Sequence, residues 1–191
     1  MLYAFVKVVL KALLGILFGI KSVGRENVIE GGIIIAANHK SNWDPLCVIA
    51  TCPRQMASMG KSELFKFKPF GAILKKVGVF PVNRGKGDIG AVKTALKILK
   101  EEKPMMMFPE GKRIKDGKRG EAKPGVAMLS THAKVPVVPV KISGDFRLFK
   151  RVTVFYGEPI YLDEYYGEKL TVEKMQELSE AIMDKVYSLD N

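Results

Sequence analysis

Only two histidines occur in the 191 residues. His39 comes directly after residues 33–37, a short apolar run behind Gly31-Gly32 that reads as a buried strand. In α/β sheets, reactive groups collect beyond the carboxyl ends of strands. The segment Asn38-His39-Lys40-Ser41-Asn42-Trp43-Asp44 occupies that position. A short loop could bring the Asp44 carboxylate to one imidazole nitrogen and fix the tautomer. The other nitrogen could then take a proton from a substrate hydroxyl. A second reading uses the same residues differently. Asp44-Pro45 also has the form of an N-cap followed by proline at the first helical position, leaving His39 as a loop polar residue. The spacing H-x4-D alone arises easily by chance and does not separate the two. His132 sits in a predicted helix without a nearby carboxylate and reads as structural.

Cations gather at other strand ends. The segment Val79-Phe80-Pro81-Val82-Asn83-Arg84-Gly85 delivers Arg84, and Phe108-Pro109-Glu110-Gly111-Lys112-Arg113 delivers Glu110, Lys112 and Arg113. Arginine can grip phosphate oxygens bidentately, and lysine supplies a point charge to the same anion. Lys115, Lys118 and Arg119, in a glycine-rich charged loop, read as solvated charges. Ser41 reads as a local hydrogen-bonding or capping residue rather than a nucleophile. No His/Cys/carboxylate grouping has metal-ligand spacing.

The elements that must position these groups follow from periodicity. Strands are expected near residues 33–37, 55–59, 77–82, 105–108, 137–142 and 152–155. Helices are expected from 44 to about 52, over 88–102, over 125–132 and over 172–189. Residues 62–76 look helical but carry Pro69 and Gly71, and 110–121 read as a polar loop. Alternating strands and helices imply a single α/β domain: a mixed, mainly parallel sheet flanked by helices.

Apolar residues at 47% and charged residues at 27% exclude disorder and coiled coil. The chain carries 31 Lys and Arg against 20 Asp and Glu, a net charge of +11. Residues 54–123 hold 18 basic and 7 acidic groups, a surplus equal to that of the whole chain. Nucleic acid, an anionic membrane or an acidic substrate would suit such a field. No recognised nucleic-acid motif accompanies it, and the aromatics do not interleave with the basic residues. Cys47 and Cys52 make no disulfide framework, which fits a reducing compartment.

Residues 1–20 are apolar except for Lys7 and Lys11. Two mid-segment lysines argue against a spanning helix, and a signal peptide would need its charge first and a cleavage site after. An amphipathic helix lying in the membrane plane, its lysines reaching the headgroups, suits the pattern better. A helix packed on the core is the alternative. The expected organisation is therefore a membrane-associated helix over residues 1–22 and a catalytic domain over 23–191.

Taken together, four blocks resemble the ordered motifs of the glycerolipid acyltransferase family. Asn38-His39 to Asp44 is similar to its N-H-x4-D block, and Gly78 to Arg84 to the block ending in arginine. Phe108-Pro109-Glu110-Gly111 matches F-P-E-G, and Val135-Pro136-Val137-Val138-Pro139-Val140 matches V-P-x-x-P-V. Lys123-Pro124-Gly125 resembles the stretch between the last two. Three features depart from the family: Asn83 where many members have Asp, Lys112 where many have Thr or Ser, and a single short N-terminal helix.

The resemblance implies that His39 is the general base and Asp44 its orienting partner. It implies that Arg84, Glu110, Gly111, Lys112 and Arg113 shape a site for the acceptor phosphate. The implied reaction moves an acyl group from acyl carrier protein or coenzyme A to lysophosphatidic acid, giving phosphatidic acid for phospholipid biosynthesis, with no cofactor and no metal. The implied location is the cytoplasmic face of the cell membrane. Acylation of glycerol-3-phosphate or another lysophospholipid is the alternative within the family. A non-enzymatic module binding anionic membranes or nucleic acid is the alternative outside it.

Overall fold

The computed structural model describes residues 2–83, 87–114 and 119–190. Seven strands form one sheet in the order β1-β7-β6-β2-β5-β3-β4. They are β1 (Lys21–Val23), β2 (Ile34–Ala37), β3 (Ala57–Lys61), β4 (Val79–Val82), β5 (Met105–Met107), β6 (Val137–Ser143) and β7 (Thr153–Tyr156). The central strand β2 pairs in parallel with β5 (Ile34 opposite Met105) and with β6 (Ile34 opposite Val137). β7 is antiparallel to β6, and β1 runs parallel to β7. The sheet is therefore mostly parallel, as the alternation of elements requires.

Every residue of β2 is buried, because a central parallel strand is covered on both faces. Ile33, Ile35 and Ala37 face one hydrophobic cluster, with Leu14 and Phe18 of α1 (Leu2–Phe18) and Cys47 and Val48 of α2 (Asp44–Thr51). Ile34 and Ala36 face the other. That second cluster contains Ala95 and Leu99 of α4 (Ile89–Lys100), Val126 and Leu129 of α5 (Gly125–Ala133), and Leu178 and Ile182 of α6 (Val172–Tyr187). The period-2 alternation of one strand thus divides the helices into two layers.

Between β3 and β4 the expected helical stretch is split. A 3₁₀ turn over Ser62–Phe65 precedes α3 (Lys68–Lys76), which takes Pro69 into its first turn. Gly71 stays inside α3, where an added Cβ would meet the Phe65 carbonyl oxygen at 3.0 Å. The three-residue edge strand β1 is absent from the expected elements. It has no run of apolar residues or alternation long enough to mark it.

α1 packs one side on the core and leaves apolar side chains exposed on the other. Tyr3, Leu14 and Phe18 are buried, while Leu2, Phe5, Val8, Val9, Leu13 and Ile16 face outward. Lys7 donates to the Pro53 carbonyl at 3.3 Å. Among the described residues, no helix is long and apolar enough to cross a membrane.

Candidate active site

His39 follows β2 at the carboxyl end of the sheet and is 7% exposed. Its Nδ1 lies 2.9 Å from Oδ2 of the buried Asp44. The same oxygen accepts the backbone N–H groups of Lys40 and Ser41, each at 2.6 Å. A carboxylate can only accept, so Nδ1 is the donor and Nε2 is the nitrogen left to take a proton.

Asp44 is not the helix cap that the Asp-Pro pattern suggested. Trp43 occupies the cap position, and no side chain caps α2 there. An N-cap carboxylate accepts from N–H groups ahead of it; that of Asp44, one residue inside the helix, turns back onto the loop behind it. Its position in the first turn also places its negative charge at the positive end of the helix dipole. Ser41 plays a local role, its Oγ accepting from Trp43 N at 3.3 Å.

The Phe108-to-Ile114 segment laces the histidine loop in place. The Phe108 ring stacks on the imidazole, with centroids 4.1 Å apart. Glu110, only 1% exposed, accepts the backbone N–H of His39 through Oε2 at 2.8 Å. Its Oε1 accepts the Tyr187 hydroxyl at 2.7 Å. Both carboxylate oxygens thus engage partners within the protein. Gly111 sits at φ +68°, in the left-handed region that favours glycine. Arg113 Nη1 donates to Asn42 Oδ1 at 2.8 Å, and Ile114 N donates to the His39 carbonyl at 2.7 Å. Lys112 and Arg113 are exposed. Arg84 lies outside the described residues.

Several contributors escaped the sequence reading. Asn38 acts as an extra rung between β2 and β6: its Nδ2 donates to the Ile142 carbonyl at 3.2 Å, and its Oδ1 accepts Ile142 N at 2.7 Å. Tyr187 comes from the far end of the chain with no local signal. A cavity of about 150 Å³ opens beside His39, walled by Asn38, Lys40, Ile114, Lys141 and Tyr187. Lys141 Nζ lies 4.0 Å from the Tyr187 ring centroid and 3.5 Å from Asp190 Oδ1. Burial pushes the Lys40 amine below the ordinary lysine value, against the pull of Asp44 and Asp145. Burial, together with the Glu110 carboxylate, raises the Tyr187 hydroxyl, so it stays protonated as a donor. Among the described residues, no group of three or more His, Cys, Asp or Glu side chains converges as a metal site would.

Fold and site together define an α/β enzyme with a carboxylate-oriented histidine at the end of its central strand, beside a small cavity lined in part by Lys40, Lys141 and Asp190. Residues 19–143 match the family model described as Acyltransferase, and the chain belongs to this acyltransferase family. The chain is 29% identical to the 1-acyl-sn-glycerol-3-phosphate acyltransferase of Bacillus subtilis, a match covering all of this chain and 98% of that protein. It is 30% identical to the enzyme of the same name from Streptococcus pneumoniae, over 82% of this chain and 60% of that protein. Its fold matches the crystal structure of the 1-acyl-sn-glycerophosphate (LPA) acyltransferase PlsC from Thermotoga maritima with a TM-score of 0.71. That match covers 98% of this chain and 78% of the other at 22% identity, a likeness of fold.

Proposed function

We propose that this acyltransferase moves a fatty acyl group from a thioester donor, acyl carrier protein or coenzyme A, to the free hydroxyl of 1-acyl-sn-glycerol-3-phosphate. The observation that carries the reading is the 2.9 Å contact of His39 with Asp44 beside the cavity. His39 Nε2 takes the hydroxyl proton as the alcohol oxygen attacks the thioester carbonyl. The tetrahedral oxyanion then collapses, expelling the thiolate, and the imidazolium returns its proton to the sulfur. General-base catalysis of this kind contributes roughly 10²–10⁴ in rate. Asp44 holds the tautomer and stabilises the transient imidazolium. Glu110 braces the His39 backbone, and Gly111 provides the turn that carries Lys112 and Arg113 toward the acceptor phosphate. Arg84 completes that anion site. R84A is expected to raise the acceptor KM far more than the donor KM; equal effects on both would remove Arg84 from the phosphate site.

The product, phosphatidic acid, and the acceptor are both amphiphiles. Residues 1–22 hold the enzyme to an anionic bilayer at its cytoplasmic face, and residues 23–191 carry the chemistry. The outward apolar side chains of α1 support this reading. Its test is a mass determination. Protein incubated with 1-acyl-sn-glycerol-3-phosphate and each donor in turn is expected to yield phosphatidic acid heavier by one acyl group. Acylation of glycerol-3-phosphate or of another lysophospholipid in its place would reassign the acceptor, and no acyl transfer would end the proposal.

A further inference from the structure

Nine residues between β6 and β7 carry a feature that the chemistry does not use. Phe149 is 85% exposed and Leu148 63% exposed, side by side at the tip of the connection. Phe149 has φ +62°, a backbone region that bulky residues rarely adopt. The chain holds this conformation through backbone bonds to the end of α1: Phe149 N donates to the Leu17 carbonyl at 2.9 Å, and Val152 N to the Phe18 carbonyl at 3.0 Å. The tip is therefore continuous with the helix that presents Phe5, Val9 and Ile16 outward. Arg147, Lys150 and Arg151, all exposed, flank the two apolar residues in the chain. An exposed apolar tip flanked by cations matches the boundary between acyl chains and anionic headgroups.

The same connection reaches the site. Phe146 packs edge-on against Phe18, which packs edge-on against Trp43 of the histidine loop. Lys40, next to His39, donates its ammonium to the Gly144 carbonyl.

We propose that the β6–β7 connection is a second bilayer-inserting element, its Leu148-Phe149 tip entering an anionic leaflet beside α1 and setting the mouth of the His39 cavity against the lipid surface. The inference rests on the membrane docking assigned to α1 above. It adds the residues outside that helix that enter the same leaflet.

The experiment uses the full chain and vesicles of phosphatidylglycerol mixed with phosphatidylcholine. In a W43F/F149W protein the indole at position 149 is the sole tryptophan. Its emission should shift to the blue on vesicle binding and be quenched by lipids brominated along the acyl chain. L148S/F149S, which alters only exposed side chains, should bind the vesicles about 10- to 100-fold more weakly in cosedimentation while its thermal melt is unchanged. A protein that sediments with vesicles while residue 149 stays unquenched overturns the insertion and leaves docking through α1 intact. Full binding by L148S/F149S does the same. Failure of the wild-type chain to bind vesicles at all overturns both readings. Loss of binding on serine substitution of Phe67 and Phe70 in the α3 region, with L148S/F149S unaffected, would move the second contact to the opposite edge of the sheet.

Discussion

At His39 the arrangement separates two kinds of loss. Its backbone N–H is held by Glu110 and its ring by Phe108 and Asp44, so the side chain is positioned by groups that are themselves fixed. H39A is expected to abolish measurable turnover while leaving the thermal melt within a few degrees of wild type; normal activity would remove the histidine from the chemistry. Glu110 behaves differently. E110A strips the partner from the buried His39 amide, a loss of about 1–3 kcal/mol for a buried donor left unpaired, and also from the part-buried Tyr187 hydroxyl. Y187F removes one hydrogen bond and should cost about 1 kcal/mol by urea melts. If Tyr187 positions the site through Glu110, Y187F also lowers kcat more than either KM.

Among the elements, α1 carries the clearest division of labour. Its Leu14 and Phe18 close the core over α2, whereas Phe5, Val9, Leu13 and Ile16 face outward. Deleting the helix would therefore open the core as well as remove the proposed lipid contact, and would confound the two. Single substitutions separate them. L14A is expected to destabilise the fold by about 2–5 kcal/mol in chemical denaturation, as a buried leucine truncation does. I16S should leave that stability within about 0.5 kcal/mol and weaken vesicle cosedimentation. Undiminished cosedimentation of I16S would mean that α1 meets water with the face assigned to lipid.

At the scale of the whole molecule, buried thiols and phenols favour a loss of stability in alkali, opposed by Lys7 and Lys40, whose amines burial lowers. Burial pushes the Cys47 thiol up to about 12 from an ordinary 9.0. Burial likewise raises Cys52, Tyr3, Tyr156 and Tyr187. In each case the unfolded chain releases its proton at a lower pH than the native one. The stabilisation from Cys47 is therefore complete below about pH 9 and falls as pH rises toward about 12. One such group contributes a slope of up to about 1.4 kcal/mol per pH unit. Urea melts from pH 8 to pH 11 should show wild type losing stability relative to C47A as pH rises; parallel profiles for the two proteins would contradict it.

Much of this molecule was readable from local chemistry. Isoleucine runs after glycine pairs and 3.6-residue periods specify buried strands and amphipathic helices through short-range packing demands, so the mostly parallel sheet was expected. So was the presence of His39 at a strand end with a carboxylate five residues on. The course of the Asp44 side chain was not. Capping a helix and orienting an imidazole use the same residue in the same loop, and only the folded backbone around Lys40 and Ser41 selects between them. Nor could spacing disclose Tyr187, 77 positions from the Glu110 it holds, or the β1 edge strand, whose three residues pair only because β7 is already in place. Periodicity reports which face of an element is buried. Which distant element covers that face, and which hydroxyl meets which carboxylate there, is decided when the layers close.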